Sequence, residues 1–384
     1  MTPQAQFQLN RAKNWGEFTK ALRVFHGPEQ NIFYADVSGN IGYYAPARVP
    51  IRAKGDGSRP SPGWSGDYDW KGWIPFEKLP HAFNPPTGLL FNANNQLVPE
   101  GYPYLLTSHW PASYRARRIL EMLTAHSRHV DQGLSAMQMD TLSLVAQDLK
   151  PYLLNLEVLS ERGKAAAQLI AAWDNTIDKD RPEPLIFNAW LRELKATIFE
   201  DELGDVFPKW SGMQTRAIAY ALRDGPEWCD DIATPRVDPC AGRIGLALER
   251  ALVWIESRHG TNMRTWKWGA EHQADFAHTL FRYFPMLDQL TGRTFPTNGD
   301  DDTVNRGSAQ GSGDGTPFRH LHGAGLRAVY DLANIEESGF MIATGQSGNP
   351  LSPFYDNLLP LWREGHSLKF GAAAHYRLVL QPEE

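Results

Sequence analysis

Three asparagines, Asn92, Asn94 and Asn95, stand at the end of an apolar stretch, GLLFN at 88–92. Asparagine is a poor strand residue, so the cluster needs a reason. One reason is a turn, where Asn tolerates left-handed backbone and bonds its own main chain. The other is chemical. A side-chain amide N–H aimed at a developing oxyanion contributes about 2.7–4 kcal/mol to an acyl-transfer transition state. The residues alone leave both readings open.

Other chemical signatures are weaker. The sequence has no G-x-S-x-G elbow and no H-E-x-x-H, and the glycine-rich run at 307–315 is not followed by GK[ST], so it is not a P-loop. Twelve histidines are scattered, densest at 272–278 and 320–322, with no pair at metal-ligand spacing on a clear helix. They read as surface or hydrogen-bonded loop histidines. Arg115, Arg117 and Arg118 read as a solvated helix face. Cys229 and Cys240 enclose an acidic, proline-containing segment that reads as a surface loop. They are two buried thiols in a reducing compartment, or a disulfide worth about 3 kcal/mol in an oxidising one. The disulfide is the favoured reading, and two Cys without further Cys or His nearby are a poor zinc site.

The elements that must position these groups fall into three blocks. Residues 14–25 carry apolar side chains at helical spacing, with Asn14 as a cap. Residues 31–36 and 41–44 read as strands joined at Gly39-Asn40, a hairpin, and 88–92 as a third strand. Residues 46–86 are rich in Pro, Gly and Trp. Helices are expected over 112–124, 134–149, 163–173, 185–203, 213–222 and 241–258, separated by Pro151 and by the prolines at 182 and 184. Strands return after Trp266, at 339–344 and 376–380, with a loop over 298–315 and a short helical piece at 359–364. Without βα alternation, this order predicts an α+β fold, antiparallel sheet with segregated helices. The helical insertion at about 112–258 reads as a subdomain.

The chain has 384 residues, 42% hydrophobic and 21% charged, the composition of a globular protein able to bury a sizeable core. A net charge of -6 argues against nucleic acid as a partner. No apolar run approaches the roughly 18–20 residues that span a bilayer, so no membrane partner is expected. Residues 1–11 are polar, without the apolar core of a signal peptide.

Several long strings, in this order, carry a resemblance: NRAKNWGEF at 10–18, YADVSGNIGYY at 34–44, GDYDWKGWIPFEKLP at 66–80, NPPTGLLFNANN at 84–95 and GQSGNPLSPFYDNLLPLW at 345–362. They resemble the penicillin acylase family of N-terminal-nucleophile hydrolases, over about residues 7 to 370. The resemblance implies an αββα sandwich and an exported precursor, periplasmic or secreted, that cuts itself into two chains. The new N-terminal serine of the larger chain attacks a linear amide, with its own α-amine as base. The substrate is then an N-acyl small molecule, such as a β-lactam side-chain amide or an acyl-homoserine lactone.

By the same resemblance Asn94 matches the side-chain oxyanion donor. Arg115 matches the arginine on the next helix that organises the site around it, and Gln30 falls where the family places an acyl-pocket wall residue. The departures imply that this chain, 1–384, is the carboxy-terminal part of the larger chain. The serine and the groups soon after it lie upstream, so the partners would be the smaller chain and that upstream segment, and the isolated chain is expected to be inactive. Thr2 precedes Pro3 and sits ahead of the first helix, not on the family's first strand, so it is not taken as a substitute nucleophile. The family's calcium site lacks its aspartate near 105–107, and no metal or cofactor is expected. The rival expectation is a non-catalytic binding relic of the family. A third is a chain that never folds, its unpaired sheet edges prone to aggregate.

Overall fold

The computed structural model describes residues 2–157, 160–309 and 315–371. The chain divides into two compact units, residues 1–125 with 330–338, and residues 126–329 with 339–384.

In the first unit, α1 (Thr2–Leu9) and α2 (Trp15–Leu22) lead into β1 (Ile32–Ala35) and β2 (Ile41–Tyr44). Asn14 caps α2: its Oδ1 accepts from Glu17 N at 2.9 Å, and Glu17 reaches back to Lys13 N at 3.0 Å. This reciprocal box satisfies two otherwise orphaned donors. The helix buries Phe18, Ala21 and Leu22. Tyr44, Ile74 and Leu79 complete that core.

β1 and β2 form the expected antiparallel hairpin, with Tyr34 opposite Gly42. Its turn is tied by Asp36 Oδ1, which accepts from Ser38 N and Asn40 N, while Gly39 takes φ +85°. Gly42 is required for a second reason. A Cβ there would stand 2.4 Å from the Trp15 ring, which stacks on Phe83 at 4.8 Å. The indole can lie on the sheet only because residue 42 has no side chain.

The Pro-Gly-Trp stretch holds a second ribbon, β3 (Pro50–Arg52) with β4 (Trp70–Trp73). β5 (His81–Phe83) adds to β2, and α3 (Tyr114–Thr124) closes the unit. The strand expected at 88–92 does not form. Gly88 has φ +65°, and the segment is held by asparagine side chains rather than by a ladder.

The second unit is mainly helical: α4 (Asp131–Gln138), α5 (Leu144–Leu153), α6 (Glu161–Ala172), α7 (Glu183–Leu203), α8 (Thr215–Arg223), α9 (Cys240–His259) and α10 (Trp268–Glu271). The single helix expected over 134–149 is two helices. Ser143 interrupts it, its Oγ capping α5 by accepting from Ala146 N at 3.1 Å, and Leu142 bridges to Thr176. Pro151 does not separate helices but sits in the last turn of α5. α7 is apolar on most of its faces and packs along α9, where Trp190 Nε1 donates to Ile244 O at 2.9 Å. Such all-round hydrophobicity belongs to a core helix. Among the described residues no helix is long and apolar enough to cross a membrane.

Small sheets follow: β6 (Gln273–Phe276), then α11 (Pro285–Thr291), with β7 (Arg293–Pro296) paired to β6. β8 (Gly307–Ser308) pairs with β9 (His322–Gly323), and β10 (Leu326–Val329) with β11 (Gly339–Ile342). After α12 (Leu359–Glu364), β12 (Leu368–Lys369) pairs with β11. Met341, Leu358, Leu359 and Trp362 form the core beneath them. Every pairing of named strands is antiparallel, and the fold is α+β without a barrel. The strand expected at 376–380 lies outside the described residues.

Candidate active site

Asn94 and Arg115 meet in the first unit. Arg115 lies in the first turn of α3, between buried Tyr114 and Ala116, and its Nη2 donates to Asn94 Oδ1 at 3.0 Å. A guanidinium has only donors, so the bond must take the amide's oxygen. The Asn94 Nδ2–H groups are then the end of the amide left without a partner among the described residues. Asn94 itself is exposed, with φ +65°. Asn is among the few residues that visit the left-handed region routinely.

The turn and the donor coexist. Asn94 N donates to Asn92 Oδ1 at 2.9 Å, and Ala93 N to Asn95 Oδ1 at 3.1 Å. Asn92 Nδ2 also reaches Asn95 Oδ1 at 3.3 Å, and Ala93 is buried beneath the turn. The asparagines on either side build the loop that presents Asn94. One contributor went unrecognised in the sequence: Asn31, at the entry to β1, donates from Nδ2 to Asn92 Oδ1 at 2.9 Å. Its signal was a primary amide directly before an apolar strand, where no turn required one. Gln30 is the preceding residue; it is exposed, and its side chain bonds no described residue.

The arginine cluster splits. Arg117 is exposed beside the Tyr114 ring, and Arg118 pairs with Glu121 at 3.3 Å. Arg115 turns to the asparagine loop.

The chain matches the penicillin amidase family over residues 1–374. It belongs to that family. It is 32% identical over 390 residues to an acyl-homoserine lactone acylase, QuiP, of Pseudomonas syringae pv. syringae, covering 94% of this chain and 46% of that protein. It is also 32% identical over 349 residues to a penicillin acylase 2 proenzyme of Pseudomonas sp. (strain SE83), covering 88% of this chain and 43% of that one. The chain thus spans about half the length of the curated relatives it matches. Among solved structures, a thermostable penicillin G acylase from Alcaligenes faecalis superposes with a TM-score of 0.66 at 20% identity, covering all of this chain and 73% of that one. The chain shares its fold.

The second unit holds the cysteines and the buried histidines. The Cys229 and Cys240 sulfurs are bonded at 1.97 Å, closing a loop that is also tied by Asp238 N donating to Asp230 Oδ1 at 2.8 Å. His272 and His320 are buried and hydrogen-bonded, the second of the two readings of the histidines rather than the surface one. His272 Nδ1 donates to Phe318 O at 2.8 Å, and its ring stacks between Trp268 and His320. His320 Nδ1 bonds Thr297 Oγ1 at 2.8 Å. Burial holds both rings neutral, His272 at about 3 and His320 at about 4. Among the described residues no group of three or more His, Cys, Asp or Glu is placed to hold a metal ion, and residues 105–107 supply no acid.

Proposed function

We propose that this chain carries the oxyanion-binding part of an amide hydrolase that cleaves N-acyl compounds to a carboxylic acid and an amine. The observation that supports it is the Arg115–Asn94 contact, which holds an amide with its N–H groups uncommitted on a hydrogen-bonded loop. In the reaction the N-terminal serine of an upstream segment attacks the amide carbon, and its α-amine takes the hydroxyl proton. The carbonyl oxygen becomes an oxyanion, which Asn94 Nδ2–H stabilises. Collapse transfers the proton to the leaving amine and leaves an acyl-enzyme, which water cleaves to the acid. Arg115 holds Asn94 in orientation, and Gln30 lies at the wall of the acyl pocket. The substrate class is β-lactam side-chain amides or acyl-homoserine lactones, by similarity to relatives so named. The smaller chain and the upstream segment are the partners. An oxidising compartment, periplasmic or secreted, is supported by the Cys229–Cys240 bond.

The test is hydrolysis of chromogenic phenylacetyl and long-chain acyl amides by this chain alone and mixed with a separately made, serine-led upstream segment. Turnover only in the mixture is expected. A folded, associated mixture without turnover on either substrate would favour the non-catalytic relic.

A further inference from the structure

A cavity of about 460 Å³ in the second unit is lined by Arg327, Asn298, Asn305, Arg363, Trp362 and Met139, among others. Its cations are not equivalent. Lys179 pairs with Asp180 at 2.6 Å, and Arg363 stands 3.5 Å from Glu364. Arg327 bonds only neutral acceptors, Trp362 O at 2.8 Å and Asn305 Oδ1 at 2.9 Å, and no carboxylate pairs with it among the described residues. Its guanidinium lies over the Trp362 ring, 4.7 Å from the centroid. Desolvation brings its pKa down to about 10, and its charge helps hold His320 neutral. A half-buried charge left without a counter-charge is costly.

The neutral groups point the same way. Asn298 Oδ1 is taken by Lys179 N at 2.9 Å, and Asn305 Oδ1 by Arg327. Both amides therefore keep only their Nδ2–H donors uncommitted. Around Arg327 the spare amide groups are donors, which suits a ligand group that only accepts, such as an ionised carboxylate, while the cavity's own carboxylate, Glu364, stands beside Arg363 at 3.5 Å. A single fork without a second unpaired cation favours a monoanion over phosphate. The Trp362, Met139 and Pro296 side chains supply an apolar wall for the rest of the molecule.

We propose that this cavity binds a small organic carboxylate, its carboxylate on Arg327 and the Asn298 and Asn305 amides, and its apolar body against Trp362 and Met139. The proposal does not depend on the amidase reading.

The test is a ¹⁹F NMR titration of the chain with 4-fluorobenzoate, with acetate and inorganic phosphate as competitors. Saturable binding of roughly millimolar affinity or tighter is expected. Acetate should compete at least tenfold more weakly, and phosphate not measurably. Arg327→Gln should abolish binding. Asn298→Asp keeps the acceptor for Lys179 N but sets a negative charge against the ligand, so it should weaken binding at least tenfold without unfolding the chain. No saturable binding to the wild type, equal competition by phosphate, or unchanged affinity in folded Asn298→Asp would each overturn the proposal.

Discussion

Arg115 Nη2 donates to Asn94 Oδ1 at 3.0 Å, joining the first turn of α3 to an asparagine held at φ +65° twenty-one residues earlier. The bond sets which end of the amide is spent and which end remains. On the proposed function Arg115 is a positioning residue, and the consequence can be measured. In the complemented enzyme, Arg115→Lys keeps the charge but loses the planar fork. A fall in kcat of about tenfold is expected, with KM nearly unchanged. A change in KM alone would place Arg115 in substrate binding instead.

Asn31 supports the same loop from the other side through its 2.9 Å bond to Asn92. Asn31→Ala should lower stability by about 1 kcal/mol in urea unfolding. It should also reduce kcat by less than Asn94→Ala does. An effect on kcat as large as that of Asn94→Ala would mean that Asn31 meets the substrate directly.

Asp300 is pushed up to about 7 by burial first, then by the charges of Asp302 and Asp301. Between the unfolded value of 3.8 and about 7 the native state holds the extra proton, so this group's contribution falls as pH rises across that window. His272 and His320 have the opposite sign. Held at about 3 and about 4, they stay neutral while the unfolded chain protonates below 6.5, so their contribution is lost as pH falls through that range. Asp300→Asn removes only the first slope. It should gain on the wild type by on the order of 2–4 kcal/mol at pH 8 relative to pH 4. Urea unfolding at both values checks this, and a pH-independent difference would contradict it.

The Cys229–Cys240 bond closes a short loop between the 3₁₀ turn at Pro226–Cys229 and the start of α9. Cys229→Ser with Cys240→Ser should cost about 3 kcal/mol in the chain-entropy account. Denaturation with and without reductant should reproduce that loss in the wild type only. Equal curves would show that the loop is held by its other contacts, Arg243–Asp231 at 3.0 Å and Asp238 N–Asp230.

Local signals in the sequence carried far where the chain decides locally. The Asn14 cap, the Gly39-Asn40 hairpin and α7 with its prolines all follow from residue types within one turn or one strand pair. The errors arose where a distant partner decides. The 88–92 stretch is apolar enough for a strand, but its asparagines bind one another and Asn31, sixty-one residues from Asn92. Ser143 looked like part of a helix until its capping role divided α4 from α5. At the candidate site, periodicity could place Arg115 on a helix face but could not separate it from Arg117 and Arg118. That separation came from the family resemblance and matches a contact across twenty-one residues. The burial of His272 and His320 depends on Trp268, Thr297 and Phe318, which no local pattern brings together.

On the proposed function the Asn94 amide meets the oxyanion. The direct measurement is kcat of the chain complemented by the serine-led upstream segment, with Asn94 intact and as Asn94→Ala. A loss of about 10²–10³ in kcat, with little change in KM and unchanged association of the two pieces, is the expected result. Turnover by Asn94→Ala within a few-fold of the wild type would contradict it, and would leave the asparagine loop as a turn and nothing more.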